Sequence, residues 1–600
     1  MTANAIDAPA KALPGWDLSH LYAGPKSEAL TSDLEAATQR ARALEAELKG
    51  RLKDQSGEQL GAAIAEYEAI SEILGRVMSF AYLHYAEAQG DAERGRFLQA
   101  MQEKVTAISA HLLFFTLEIN KIEEADLAPK LEAPSLARYE PWLRDVREFR
   151  PHQLSDEAER MLLEKSVTGS SAWVRLFDET MADLVFTIEG KAMGSAEALN
   201  CLSATSPDLR RAAAAEISRV FAANIRLFTH ITNTLAKDKA IEDGWRHFKE
   251  PWSSRNLANQ VEDEVVDALV EAVRGAYPKL SHRYYALKAR WFGVEQLNYW
   301  DRNAPLPEDV DREIAWPDAR RIVLDAYGRF TPRLAEIGRR FFEENWIDAP
   351  VRPGKSPGAF SHPTVPSAHP YILLNYQGKV RDVMTLAHEL GHGVHQVLAA
   401  RQGYFLSSTP LTLAETASVF GEMLTFQSLL ASETDPKNRK IMLAAKVEDM
   451  INTVVRQIAF YTFERKVHAE RQEGELSAER LGEIWFEVQR ESLGPGIRLD
   501  DDYRAWWSYI PHFIHSPFYV YAYAFGDCLV NSLYAVYENA NEGFAEKYLE
   551  MLKAGGTLRH KELLAPFGLD ASDPAFWQKG LAVIEGFIDQ LEAEDARSAT

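Results

Sequence analysis

Apolar positions near the start of the chain recur every three to four residues, the spacing of amphipathic helices. The segment SEALTSDLEAATQRARALEAELKG (27–50) is rich in Ala, Leu, Glu and Arg and stops at Gly50, a favourable helix end. Residues near 57–88 and 92–122 carry the same period. Around 183–194 the pattern changes: LVFTIEGKAMG is β-prone with a central Gly, which predicts a short hairpin. Ser206-Pro207 then supplies a cap and a first-turn proline for a long helix. Breakers concentrate between 301 and 370, where DRNAPLP, DAPVRPGKSPGAF and SHPTVPSAHP read as loops. YILLNY (371–376) reads as one short strand ended by Gly378. A helix follows over DVMTLAHELGHGVHQVL, and from 411 onward the pattern is helical again.

This pattern predicts a mostly α protein with no internal repeat. We expect a flexible tail over 1–14, an N-terminal helical region over 15–200 and a catalytic region over 201–590. At 600 residues the chain exceeds one typical domain. Its two cysteines, Cys201 and Cys528, form no CxxC pair, so a reducing, cytoplasmic setting is expected rather than a disulfide framework. No run approaches the roughly 20 apolar residues of a membrane span, and the start shows no secretory pattern. Acidic residues outnumber basic ones, 88 to 66, for a net charge of −22. That balance opposes nucleic-acid binding, which needs a basic face. The pattern is silent on oligomeric state.

The chemistry concentrates in LAHELGHGVHQ (386–396). His388 and His392 are four residues apart, which stacks them one turn apart on one helical face, where two neutral imidazoles can share one Zn²⁺. Glu389 is offset by about 100°, so it can reach a water on that metal without ligating it. This is the HExxH arrangement of two ligands and a general base. A third protein ligand is required. Position 398 is Leu, so the HExxHxxGxxH version fails. LTLAETASVFGEMLTF (411–426) offers Glu415 and Glu422, seven residues apart on one face: one can ligate and the other support. His395 lies one turn beyond His392 and is expected to play a supporting or substrate-side role.

HELGH followed by AETAS resembles the oligoendopeptidase F branch of the thimet-oligopeptidase-like zinc peptidases. GWDLSHLY near the start, PYILLNYQGKVRDVMTLAHELGHGVH and YIPHFIHSPFYVYAYAFG (509–526) resemble further blocks of that branch, so the likeness runs from about 15 to 585. The resemblance implies His388, His392 and Glu415 as ligands of one zinc ion, Glu389 as general base and Glu422 as a supporting carboxylate. It implies an almost wholly helical fold, with two lobes flanking a deep substrate channel and a small β-sheet beside the zinc helix. It also implies a His and Tyr pair that stabilises the oxyanion. His512, Tyr519 and Tyr523 share a side if 509–526 is one helix, and Tyr521 then points away. An edge strand pairs extended peptides through main-chain bonds, with YILLNY and Gly358, Ala359 and Phe360 as candidates. SHPTVPSAHPY and FIHSPFY, with His515 and Pro517, depart from the branch's commonest wording.

The expected function is therefore a zinc-dependent endopeptidase of short, unstructured oligopeptides. The alternatives are a metallo-carboxypeptidase or dipeptidase with the same core, which needs a cation for the substrate's terminal carboxylate, and a non-catalytic helical peptide-binding protein.

Overall fold

The computed structural model describes residues 13–166, 168–306, 313–539 and 543–598. The chain is mostly helical, with small sheets. Helices Glu28–Leu48, Gly57–Ala86 and Ala92–Ala110 begin where Ser27, Ser56 and Asp91 cap them, and Ser56 forms a full capping box with Gln59. Ser206 caps the 39-residue helix Pro207–Trp245. The expected hairpin pairs Phe186–Ile188 with Lys191–Met193. Its two turn residues, Glu189 and Gly190, both take positive φ, the geometry of a tight hairpin turn.

The breaker-rich stretch contains more regular structure than its prolines suggest. Helices Trp316–Phe330 and Pro332–Glu343 lie within it, because Pro317 and Pro332 sit in first turns, where a missing N–H costs nothing. DAP and SHP, expected as loops, contribute to strands Ile347–Pro350 and Phe360–His362. YILLNY is consequently not a lone strand but the centre of a three-stranded sheet, parallel to the first of these and antiparallel to the second. It is not an edge. Five of its six residues are buried, as suits a strand covered on both faces.

The segment GWDLSHLY packs on this sheet. Trp16 is buried, and the Tyr371 hydroxyl donates to the Asp17 carbonyl at 2.6 Å. The Ala349 N–H donates to the Pro14 carbonyl at 2.9 Å. Pro14, expected in the flexible tail, is thus held by the sheet; residues 1–12 of that tail lie outside the described residues. One continuous buried core runs from Trp16 to Leu591. Among the described residues no single helix is long and apolar enough to cross a membrane.

Candidate metal centre

Gly378, at φ +88°, turns the chain from the central strand into helix Val380–Ala399. The Asp382 carboxylate accepts from the backbone N–H groups of Gln377 (2.8 Å) and Lys379 (3.0 Å), which fixes where that helix begins. His388 and His392 lie one turn apart on it, ring centroids 5.0 Å apart. The helix packs on Thr416–Ser432 at a glycine. A Cβ on Gly391 would stand 2.4 Å from the Ala417 carbonyl oxygen and 2.6 Å from Ser418 Cα. This close approach carries the residue just before the second helix, Glu415, to the histidines.

Glu415 occupies the break between helices Leu411–Ala414 and Thr416–Ser432. Its Oε2 lies 3.4 Å from His388 Nε2 and 3.5 Å from His392 Nε2. Metal–ligand bonds of about 2.0–2.1 Å in a tetrahedral zinc site place the donor atoms roughly 3.4 Å apart. The donor set of two imidazoles and one carboxylate, spaced in this way, therefore fits such an ion. All three donor atoms fall within 4.8 Å of one another, the single such group among the described residues. The Ser418 hydroxyl donates to Glu415 Oε2 at 2.6 Å and fixes its rotamer.

Glu422 lies behind the first histidine, its Oε2 3.3 Å from His388 Nδ1. A bond there commits Nε2 to the ligand position. The other oxygen of Glu422 accepts from the buried Lys446 ammonium at 2.6 Å. Burial pushes the Glu422 carboxyl up, yet Lys446 and His388 together hold it well below the usual range. Of the two acids on this segment, then, Glu415 faces both imidazole Nε2 atoms and Glu422 supports one ring from the rear.

Glu389 is 7% exposed, and among the described residues the ion pairs of His388 and His392 go to Glu415 and Glu422 and not to it. Burial raises its carboxyl to about 7, against the pull of His388 and of the Ser361 backbone N–H that hydrogen-bonds to it. Ser361 belongs to strand Phe360–His362, so the sheet's edge lies beside Glu389. His395 is buried on the same helix, and burial, with the nearby His392, drives its imidazole down to about 4. That places it inside the packing.

Residues 509–526 do not form one helix. A short helix, His512–His515, ends at Ser516-Pro517; Phe518 turns the chain with φ +61°, and a new helix starts at Tyr521. Proline disfavours helical geometry in the residue before it, which accounts for the break. The turn still gathers the expected groups. His512 Nε2 is 3.3 Å from the Tyr523 hydroxyl, and the Tyr519 ring lies 6.0 Å from His512 and 5.3 Å from Tyr523. Both tyrosines feel the Glu415 charge. The helix that carries Tyr523 is seated on Glu415 itself, since a Cβ on Gly526 would stand 2.9 Å from Glu415 Cβ. Tyr521 is buried, and its hydroxyl accepts from Asn259 at 2.9 Å, so its side chain is engaged in packing.

Gly358 and Ala359 precede the edge strand, and Phe360 begins it. Sequence reasoning named this edge but missed Gly391 and Gly526, whose absent side chains bring three helices together. A Gly inside the HELGH helix, where Ala has better propensity, was the available signal. It also missed Ser418 and Lys446, which carry no motif.

A family model described as Peptidase family M3 matches residues 330–583, and one described as Oligopeptidase F matches 118–186. Oligopeptidase PepF of Bacillus subtilis (strain 168) is 28% identical over 97% of this chain and 87% of its own length. Group B oligopeptidase PepB of Streptococcus agalactiae is 27% identical over 96% of each. Among solved structures, oligoendopeptidase-F from Enterococcus faecium superposes with a TM-score of 0.71 at 23% identity, over 95% of this chain and 98% of that one. The chain belongs to peptidase family M3, in its oligoendopeptidase F branch, and is a metalloendopeptidase.

Proposed function

We propose that the protein is a zinc enzyme that cuts internal bonds of short, unstructured oligopeptides, with His388, His392 and Glu415 as the metal's protein ligands. The observation that carries this reading is the pair of donor separations, 3.4 and 3.5 Å, at a site beside an unligated, buried Glu389. A zinc ion held there supplies Lewis acidity, polarising the scissile carbonyl and acidifying the attacking water. Glu389 accepts that water's proton and passes it to the leaving amine nitrogen. His512 and Tyr523, with Tyr519 beside them, donate hydrogen bonds to the oxygen of the tetrahedral intermediate. The peptide backbone pairs with the edge strand Phe360–His362, so recognition is largely blind to side chains at those positions. Free Cys201 and Cys528 fit a reducing, cytoplasmic setting.

The test is a digest of an internally quenched peptide of about ten residues with both ends blocked, with and without chelator, a design that follows from the HExxH chemistry. Internal cleavage, lost with chelator and restored by Zn²⁺, is expected. Cleavage only of peptides with a free terminus overturns the endopeptidase reading in favour of an exopeptidase.

A further inference from the structure

The wall that leads from the metal ligands to His512 is formed by helices Pro436–Thr453 and Val455–Glu473. Asp449, Asn452, Thr453 and Arg456 recur on it at three- and four-residue steps, so they share one face. Asp449 is exposed to water, yet burial raises its carboxyl's pKa, and it feels Lys446, Glu422 and His388. Arg456 follows Asp449 by two turns on that face. Its charge reaches the imidazole of His512, and its guanidinium donates to the Tyr509 hydroxyl at 3.0 Å and lies 5.0 Å from the Phe460 ring. Arg302 stands behind it: both guanidinium groups act on the buried Tyr285 and Tyr503.

Three buried cations near this wall are paired. Arg210 meets Asp301 at 2.9 Å, Lys288 meets Glu448 at 2.5 Å and Lys446 meets Glu422 at 2.6 Å. Arg456 and Arg302 have no carboxylate within 4 Å among the described residues, and the Nε of each lacks a hydrogen-bond partner. Glu448, which acts on Arg302, is already held by Lys288 and Tyr284. In a chain with 22 more acidic than basic residues, two half-buried guanidinium groups without a counter-charge are an unfilled anion site. Aromatic walls of low polarity strengthen whatever charge-assisted bond forms there.

We propose that Arg456, backed by Arg302, is a subsite that holds a carboxylate of the peptide substrate on the His512 side of the scissile bond. The carboxylate is either an acidic side chain or the peptide's own C-terminus. This rests on His512 facing the reacting carbonyl.

The experiment compares peptides of one sequence on the metal-loaded full chain: a neutral peptide amidated at its C-terminus, its free-acid counterpart, and amidated versions carrying Glu in place of Gln at single positions flanking the cut. One carboxylate-bearing peptide should show kcat/KM about tenfold above the neutral one, the scale of a charge-assisted bond. The free acid identifies the terminal carboxylate as the source, and a Glu at one fixed distance from the cut identifies a side chain. In Arg456→Met the ratio should fall to about one, and Arg456→Lys should recover part of it. Because the ratio is read within each variant, a general loss of activity cancels. Equal use of all peptides by the wild type, or a ratio undiminished in Arg456→Met, overturns the subsite and leaves the endopeptidase reading standing. No cleavage of any peptide by metal-loaded wild type overturns both.

Discussion

Glu422 Oε2 lies 3.3 Å from His388 Nδ1, on the edge of the imidazole opposite the Nε2 that meets Glu415 at 3.4 Å. The ring is therefore held from behind by one carboxylate while it shares a ligand cluster with another. Replacing Glu422 by Gln keeps an oxygen for Lys446 but removes the charge that orients and polarises the ring. Zinc affinity should fall roughly 10–100-fold, measured by competition with a chromophoric chelator. Unchanged affinity would remove Glu422 from the metal's supporting set.

The three tyrosines of the 519–523 block should separate cleanly. Tyr523 meets His512 at 3.3 Å, whereas Tyr521 is buried on Asn259. Tyr523→Phe should lower kcat by about a hundredfold, the effect of losing one oxyanion donor, with zinc content intact. Tyr521→Phe should leave kcat within about twofold and cost about 1 kcal/mol of stability, from one buried hydrogen bond. A large kcat loss in Tyr521→Phe, with Tyr523→Phe near normal, would reverse the assignment.

Gly391→Ala tests the helix contact that delivers Glu415. The added Cβ meets backbone at 2.4 and 2.6 Å, with no flexible side chain to yield. Overpacking should cost about 1–3 kcal/mol, despite Ala's better helix propensity, and weaken zinc binding as the Ala417–Ser418 backbone is displaced. A stabilised variant with normal zinc affinity would show that the contact does not set the ligand geometry.

Glu464 makes a prediction about pH. Its side chain is buried, Oε1 accepts from the Phe518 N–H at 2.8 Å, and Oε2 has no partner. Burial pushes the carboxyl up to about 8. Below the unfolded carboxyl's pKa both states are protonated and the ionisation equilibrium costs nothing. Between about 4.5 and 8 the unfolded chain ionises while the folded one does not, so stability is lost as pH rises. Glu464→Gln keeps the acceptor for Phe518 and cannot ionise. Its Tm should exceed the wild type's by more at pH 8 than at pH 5, a gain on the order of a few kcal/mol at pH 8. A difference that is constant with pH would contradict a neutral buried carboxyl.

The histidine pair and its neighbouring glutamate were legible because their chemistry is local: two ligands one turn apart need only a helix. Spacing left Glu415 and Glu422 open, and only the family resemblance chose Glu415, because its approach to the histidines depends on a helix contact at Gly391. The order of the sheet was not. YILLNY reads the same as a lone strand or a central one, and its partner Ile347–Pro350 was masked by flanking prolines. Helices Trp316–Phe330 and Pro332–Glu343 were hidden by the same breaker signal, which marks helix starts as well as loops. The left-handed turn at Phe518 is set by Pro517 and by Glu464, fifty-four residues away, a long-range bond that no local pattern carries. Arg456 belongs to no motif; only its lack of a counter-charge in the folded chain distinguishes it.

The most direct test of the central claim is to measure zinc content and turnover together in Glu389→Gln, with the end-blocked peptide as substrate. Glu389 is placed as the proton carrier and not as a ligand, so the variant should bind zinc as the wild type does. It should also lose activity at least a hundredfold, on the order expected for removing a general base. Near-normal cleavage by the zinc-loaded variant would contradict the mechanism, and loss of zinc would make Glu389 part of the metal site instead.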